Sequence, residues 1–104
     1  MGNTISRQEK EELIQTLTPA LPMLRAALGI SQGELAEYIG ISRQTYCALE
    51  TGKRDMSWDT FLSLFLFFIS NEESSNCLKA KKGFITQVYR AVQYRPKIDT
   101  VQYP

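Results

Sequence analysis

Along the chain, apolar residues recur at helical spacing between residues that start and stop helices. Ser6 stands three residues before Glu9, a pattern in which a hydroxyl and a carboxylate cap the same helix end. Glu9, Glu11 and Glu12 lie where the helix dipole favours acids, and Leu13 and Leu17 are four apart. Together they predict a helix over residues 7–17. Thr18-Pro19 ends it and opens a second helix over 19–28, with Pro22 in its first turn, where a missing donor costs little. Leu21, Leu24 and Leu28 form its apolar stripe, and Gly29 is its stop. Ser31 caps a third helix over 32–39, with Glu34 at its third position. After Gly40, Ser42 caps a fourth helix over 43–51, which Gly52 ends. Ser57 caps a fifth over 58–70, with Asp59 near its start. Residues 71–76 read as a loop. Phe84, Val88 and Val92, at four-residue steps, predict a last helix over 83–93. Residues 94–104 mix proline, aspartate and β-branched residues and read as extended or loose.

The pattern is all-α, a compact helical bundle. Within it, residues 32–51 carry constraints that a plain helical hairpin does not impose. Two helices that cross at a short turn need a small residue where the backbones meet, and Ala36 is there. The turn needs a residue tolerant of positive φ, and Gly40 is there. Leu35, Ile39, Ile41, Tyr46 and Leu49 fall on the inward faces, with no proline in either helix and no charge pointing in. With Leu24-Arg25, Ile30-Ser31-Gln32-Gly33-Glu34-Leu35-Ala36, Ile39-Gly40-Ile41-Ser42-Arg43-Gln44-Thr45 and Leu49-Glu50-Thr51-Gly52-Lys53-Arg54, the chain resembles the Cro/CI-repressor type (Xre-like) helix-turn-helix family. The resemblance covers roughly residues 21–68, about half the chain. It implies a lambda-repressor-like helix-turn-helix over 19–70, an N-terminal helical extension over 1–18, and a C-terminal extension over 71–104 with one helix, a loose tail and an expected part in dimerisation.

The resemblance also implies roles. Gln32 matches the glutamine that contacts a DNA phosphate and buttresses the recognition helix. Arg43 and Gln44 match positions that reach base edges, and Ala48 lies one turn further at another base-facing position, where its methyl can only pack. Arginine can bond guanine O6 and N7 together and glutamine adenine N6 and N7, each pair discriminating by about 1–3 kcal/mol. Ser42, Thr45, Thr51, Lys53 and Arg54 fall among the expected DNA-backbone contacts, the last three in a loop whose amides and side chains meet phosphates. Arg25 and Glu50 match a structural ion pair. Tyr46 departs from the family, which usually has Ile or Val there. Its expected role is core filling, the alternative being a hydroxyl that reaches a phosphate. Cys47, on the recognition helix, reads as a spectator thiol, the alternative being redox sensing. Arg43 and Gln44 read alternatively as solvated first-turn residues. Lys53 and Arg54 would favour the helix dipole even without DNA.

Composition changes this picture in few places. The net charge is +1, with no global signature of nucleic-acid binding. From Leu78 onward, however, six basic residues (Lys79, Lys81, Lys82, Arg90, Arg95, Lys97) face one acid, Asp99. That basic region reads as a solvated helix face, with added phosphate contacts as the alternative. With no histidine, Ser-His-Asp and Cys-His catalysis are excluded, and two cysteines, Cys47 and Cys77, cannot build a zinc site alone. No phosphate-cradling glycine loop occurs. No enzyme activity, cofactor or metal is therefore expected. The polar N-terminus shows no signal-peptide pattern, and the apolar run 61–69 is too short for a membrane span of about 20 residues, so a cytoplasmic protein is expected. The fifth helix is apolar nearly all round through Trp58, Phe61, Leu62, Leu64, Phe65, Leu66, Phe67, Phe68 and Ile69, and needs cover on several sides. The cover is expected from the N-terminal helix, the C-terminal helix or a second subunit. A homodimer through this helix and the C-terminal region, bound to double-stranded DNA as a repressor of transcription, is the leading reading. The alternative is an antitoxin-like or other protein-interaction module that regulates its own promoter and holds a small protein partner.

Overall fold

The computed structural model describes residues 6–94 and residue 96. Seven α-helices follow one another: α1 (Arg7–Leu17), α2 (Leu21–Leu28), α3 (Gln32–Ile39), α4 (Arg43–Glu50), α5 (Trp58–Ile69), α6 (Glu72–Lys79) and α7 (Phe84–Val92). A 3-10 turn, Thr18–Ala20, joins α1 to α2. The described residues contain no strand, and the fold is the all-helical bundle that the apolar periodicity predicts.

Serines set four of the helix starts. Ser6, Ser31, Ser42 and Ser57 accept a hydrogen bond from the amide three residues on, at 3.0–3.1 Å. In α1 and α3 the exchange is reciprocal, because Glu9 and Glu34 accept from the amides of Ser6 and Ser31 at 2.8 Å. Each cap is worth about 1 kcal/mol. Gly40, at φ 81°, ends α3 in the left-handed region, where a side chain would be strained, and its amide returns to the Ala36 carbonyl at 2.9 Å.

Two expected elements differ. The helix predicted over 19–28 begins as the 3-10 turn and becomes α-helical at Leu21. Pro22 has no amide to offer the carbonyl of Thr18, so the Leu21 amide takes that carbonyl instead and tightens the turn. The loop predicted over 71–76 is instead the first half of α6. Serine and asparagine favour turns because their side chains compete for backbone bonds. Here that competition is satisfied inside the fold: the buried Ser74 hydroxyl donates to the carbonyls of Phe68 and Asn71, at 2.7 and 3.2 Å. With Ser74 and Ser75 both buried, α6 packs closely on α2 as well as on α5.

The core centres on α5. Phe61, Leu64, Phe65 and Phe68 are buried with Leu13 and Leu17 of α1, Leu78 of α6, and Phe84 and Val88 of α7. Phe84 meets Phe61 and Phe65 edge-on at 6.3 and 6.0 Å, and Tyr89 meets Phe65 at 5.9 Å. Burial of each such side chain contributes about 1.5–3 kcal/mol. Much of the cover that the aromatic helix needs is thus supplied within the chain by α1, α6 and α7. Leu66 is left 65% exposed, so one edge of α5 remains open. Of the segment expected to be extended or loose, 94–104, only Tyr94 and Pro96 are described, and the rest, with Arg95 and Lys97 of the basic region, lies outside the described residues. No single helix among the described residues is long and apolar enough to cross a membrane.

Candidate nucleic-acid interface

The centre of the interface is the angle between α3 and α4. Leu35 and Ala36 of α3 and Tyr46 and Leu49 of α4 are buried, and Ile39 and Ile41 are half-buried against the same core. These contacts consume the inner face of α4. Its edge toward the start of α3 carries Arg43, Cys47 and Glu50, spaced i, i+4, i+7, and each meets α3 or α2 through polar or aliphatic atoms.

Arg25 and Glu50 are brought together. The guanidinium donates from Nε to Glu50 Oε1 and from Nη2 to Oε2, both at 2.9 Å, and from Nη1 to the Ile30 carbonyl at 3.3 Å. The two side chains are only 18% and 8% exposed, so the fork of α2 is locked to the last turn of α4 largely out of water. Burial works to raise the Glu50 carboxyl, but hydrogen bonds to it and the Arg25 charge outweigh burial and hold it below its ordinary range. Arg25 is raised, first by its bond to Glu50.

Gln32 joins this pair. Its Nε2 donates to Glu50 Oε2 at 3.3 Å, and its Oε1 accepts the Cys47 thiol at 3.0 Å. Tyr46 is fully buried, so its hydroxyl cannot reach a phosphate, and core filling is what the structure displays. The hydroxyl lies beside Arg25 and Glu50 without a partner in hydrogen-bonding geometry. Burial, and then the Glu50 carboxylate, push Tyr46 well above the usual phenol range.

Arg43 and Gln44 are exposed in the first turn of α4. The Arg43 stem lies on α3 at Gly33, where a side-chain carbon would stand 3.5 Å from Arg43 Cδ. Ala48 is half-buried, one turn on. The Ser42 hydroxyl donates to Thr45 Oγ1 at 2.8 Å while capping the helix. Thr51, Lys53 and Arg54 are exposed, but their amides are spent on the end of α4. Thr51 donates to Cys47, and Lys53 and Arg54 both donate to the Ala48 carbonyl, at 2.9 and 3.2 Å. The Thr51 hydroxyl donates to the Cys47 and Ala48 carbonyls. With these amides bonded within the protein, the exposed groups of Lys53 and Arg54 are their side chains. Glu34 is occupied in its cap.

Sequence reasoning did not pair Cys47 with Gln32. The available signal was the 43/47/50 stripe, but hydrophobic periodicity does not mark a stripe of mixed polarity. Among the described residues no group of three or more Cys, Asp or Glu is arranged to hold a metal ion.

Two helices crossing at Gly40, with a capped second helix exposing its first turn, define a DNA-binding helix-turn-helix. Residues 23–64 match the family model described as helix-turn-helix, and this match supports the Cro/C1-type, Xre-like family, whose members are DNA-binding regulators. The match takes in α3 and α4 with parts of α2 and α5, and leaves α1, α6 and α7 outside it. No curated protein and no solved structure gives a match to the chain.

Proposed function

We propose that this protein is a sequence-specific transcriptional repressor that reads the major groove with the first turn of α4. The observation that carries the reading is the division of α4 between two roles. Tyr46, Leu49 and Glu50 fix its inner side to α2 and α3, while Arg43 and Gln44 stand exposed at its N-terminal end. In this reading Arg43, Gln44 and Ala48 face bases. Gln32, Ser42, Thr45, Thr51, Lys53 and Arg54 face the DNA backbone. Residues 19–70 are the DNA-binding unit, and 1–18 and 71–104 are extensions, of which α1, α6 and α7 brace α5. The protein works in the cytoplasm by binding, without chemistry. A homodimer through α5 and the C-terminal region would present two such units to half-sites about 34 Å apart. Leu66, Tyr89, Val92 and Tyr94, all more than half exposed, support that surface.

Selection of bound duplexes from a random library by the purified protein tests the reading. A recovered palindrome with half-sites one helical turn apart is expected. Recovery of no preferred sequence would end the DNA-reading proposal, and a single unpaired half-site would end the dimer. A second reading, an antitoxin-like module holding a small protein partner, is favoured by the exposed Tyr38, whose ring packs on Phe67 at 5.2 Å near the open edge of α5. Stoichiometric co-purification with the product of a neighbouring gene would support it.

A further inference from the structure

We propose that Cys47 is a positioning residue for the phosphate contact of Gln32, an inference that rests on the DNA-binding reading above. A glutamine amide offers one carbonyl oxygen and two N–H groups. In Gln32 the oxygen is held by the Cys47 thiol at 3.0 Å, and Nε2 donates to Glu50 Oε2 at 3.3 Å. Glu50 is itself fixed by the Arg25 fork. One N–H cannot serve two acceptors well, so the second Nε2 hydrogen is the donor of this side chain left for an anionic ligand. Gln32 lines an open cleft with Arg25, Ser31, Gly33 and Arg43. Of the two guanidinium groups in its lining, that of Arg25 is paired with Glu50, and that of Arg43 belongs to an exposed residue. Its chemistry suits a phosphate oxygen of the DNA backbone.

The torsion that turns a glutamine amide is broad and close to two-fold, so the Glu50 bond alone leaves the plane free to rock. The thiol provides the second anchor. It comes from the helix that reads the bases, so the phosphate contact and the base contacts keep one register. Cys47 is half-buried at this joint, where water competes poorly for the Gln32 oxygen.

Anisotropy titrations of the full chain test this, using a duplex recovered by library selection and a set in which each phosphate in turn is replaced by a neutral methylphosphonate. The wild type is expected to lose affinity sharply at one phosphate that Gln32→Ala no longer senses. Cys47→Ala should bind about 2- to 10-fold more weakly, the range of one net hydrogen bond, and should lose sensitivity at that same phosphate. The double variant should bind no worse than Gln32→Ala, and Cys47→Ser, which keeps a donor, should recover the sensitivity. A residue that only filled space would change urea midpoints but not the phosphate profile. If Cys47→Ala folds poorly, Cys47→Val keeps the volume, removes the donor and carries the same comparison. Full sensitivity in the variant lacking the thiol, or losses that multiply in the double variant, would overturn the role of Cys47 alone. A wild type that binds DNA with no phosphate sensed through Gln32 would overturn it together with the Gln32 assignment.

Discussion

Arg25→Ala is expected to damage folding more than any single change at the exposed DNA face. The guanidinium makes two 2.9 Å bonds to Glu50, whose side chain is 8% exposed. Removing it leaves the carboxylate with the single 3.3 Å bond from Gln32, beside a buried phenol. Breaking a buried pair in this way costs about 3–5 kcal/mol, whereas an exposed pair is worth about 0–1. Out of a typical total of about 5–15 kcal/mol, that is roughly a fifth of the stability at least. The cost should depend on pH in a defined direction. In the wild type Glu50 is held below its ordinary value near 4.5. Its contribution is present above that pH and is lost as pH falls through the lower folded value. Without Arg25, burial acts with little opposition and raises Glu50. The variant then keeps the acid form's stability below the ordinary value and loses it as pH rises. Urea unfolding followed by far-UV circular dichroism and Trp58 fluorescence should therefore show a gap between the two proteins that widens from pH 4 to pH 7. Arg25→Ala/Glu50→Ala should cost less than the sum of its parts, because the stranded charge is gone. A gap under about 1 kcal/mol at pH 7, or one that does not grow with pH, would refute the account of the pair.

Other expectations follow from the same contacts. Arg43→Ala should lower operator affinity by about 1–3 kcal/mol and relax preference at one base pair, with unfolding unchanged; an unaltered base preference in repeated selection would remove Arg43 from the reading face. Tyr46→Phe should hold or raise the urea midpoint, by up to about 1–3 kcal/mol, because it deletes a buried hydroxyl without a partner; a loss beyond 1 kcal/mol would mean that the hydroxyl is bonded. Gly33→Ala should gain about 0.4–1 kcal/mol, since the added carbon meets Arg43 Cδ at an ordinary 3.5 Å, and DNA affinity should be kept; weaker binding would show that the Arg43 stem needs a bare α3. Ser74→Leu should destabilise by more than about 1 kcal/mol through overpacking, while Ser74→Ala stays milder; calorimetric midpoints decide, and equal losses would deny the close approach of α6 to α2.

Where a local signal was strong, the fold was legible. Serine caps and glycine stops marked α1, α3, α4 and α5 to within a residue or so, because those signals act over one turn of chain. The α6 helix was not legible, since its residues favour a turn and only packing against α2, with Ser74 bonded back to Phe68, makes them helical. The cover on α5 was legible as a need but not as a source, because periodicity names the apolar face and not its partner. The family resemblance placed Arg25 opposite Glu50, and the contact of Cys47 with Gln32 depends on the crossing angle of two helices, which spacing does not encode.

The way α4 is held bears on how this protein can change. Tyr46, Cys47, Leu49 and Glu50 are each engaged with α2, α3 or the core, so variation there disturbs the scaffold. Arg43 and Gln44 are exposed, and in the proposed reading exchanging them alters what is read while costing little in folding. On that reading, a lineage carrying this scaffold can drift to new operators through one or two substitutions, without passing through unfolded intermediates. For the same reason, a designer seeking altered targets needs a library of two or three positions and can leave the rest of the helix untouched.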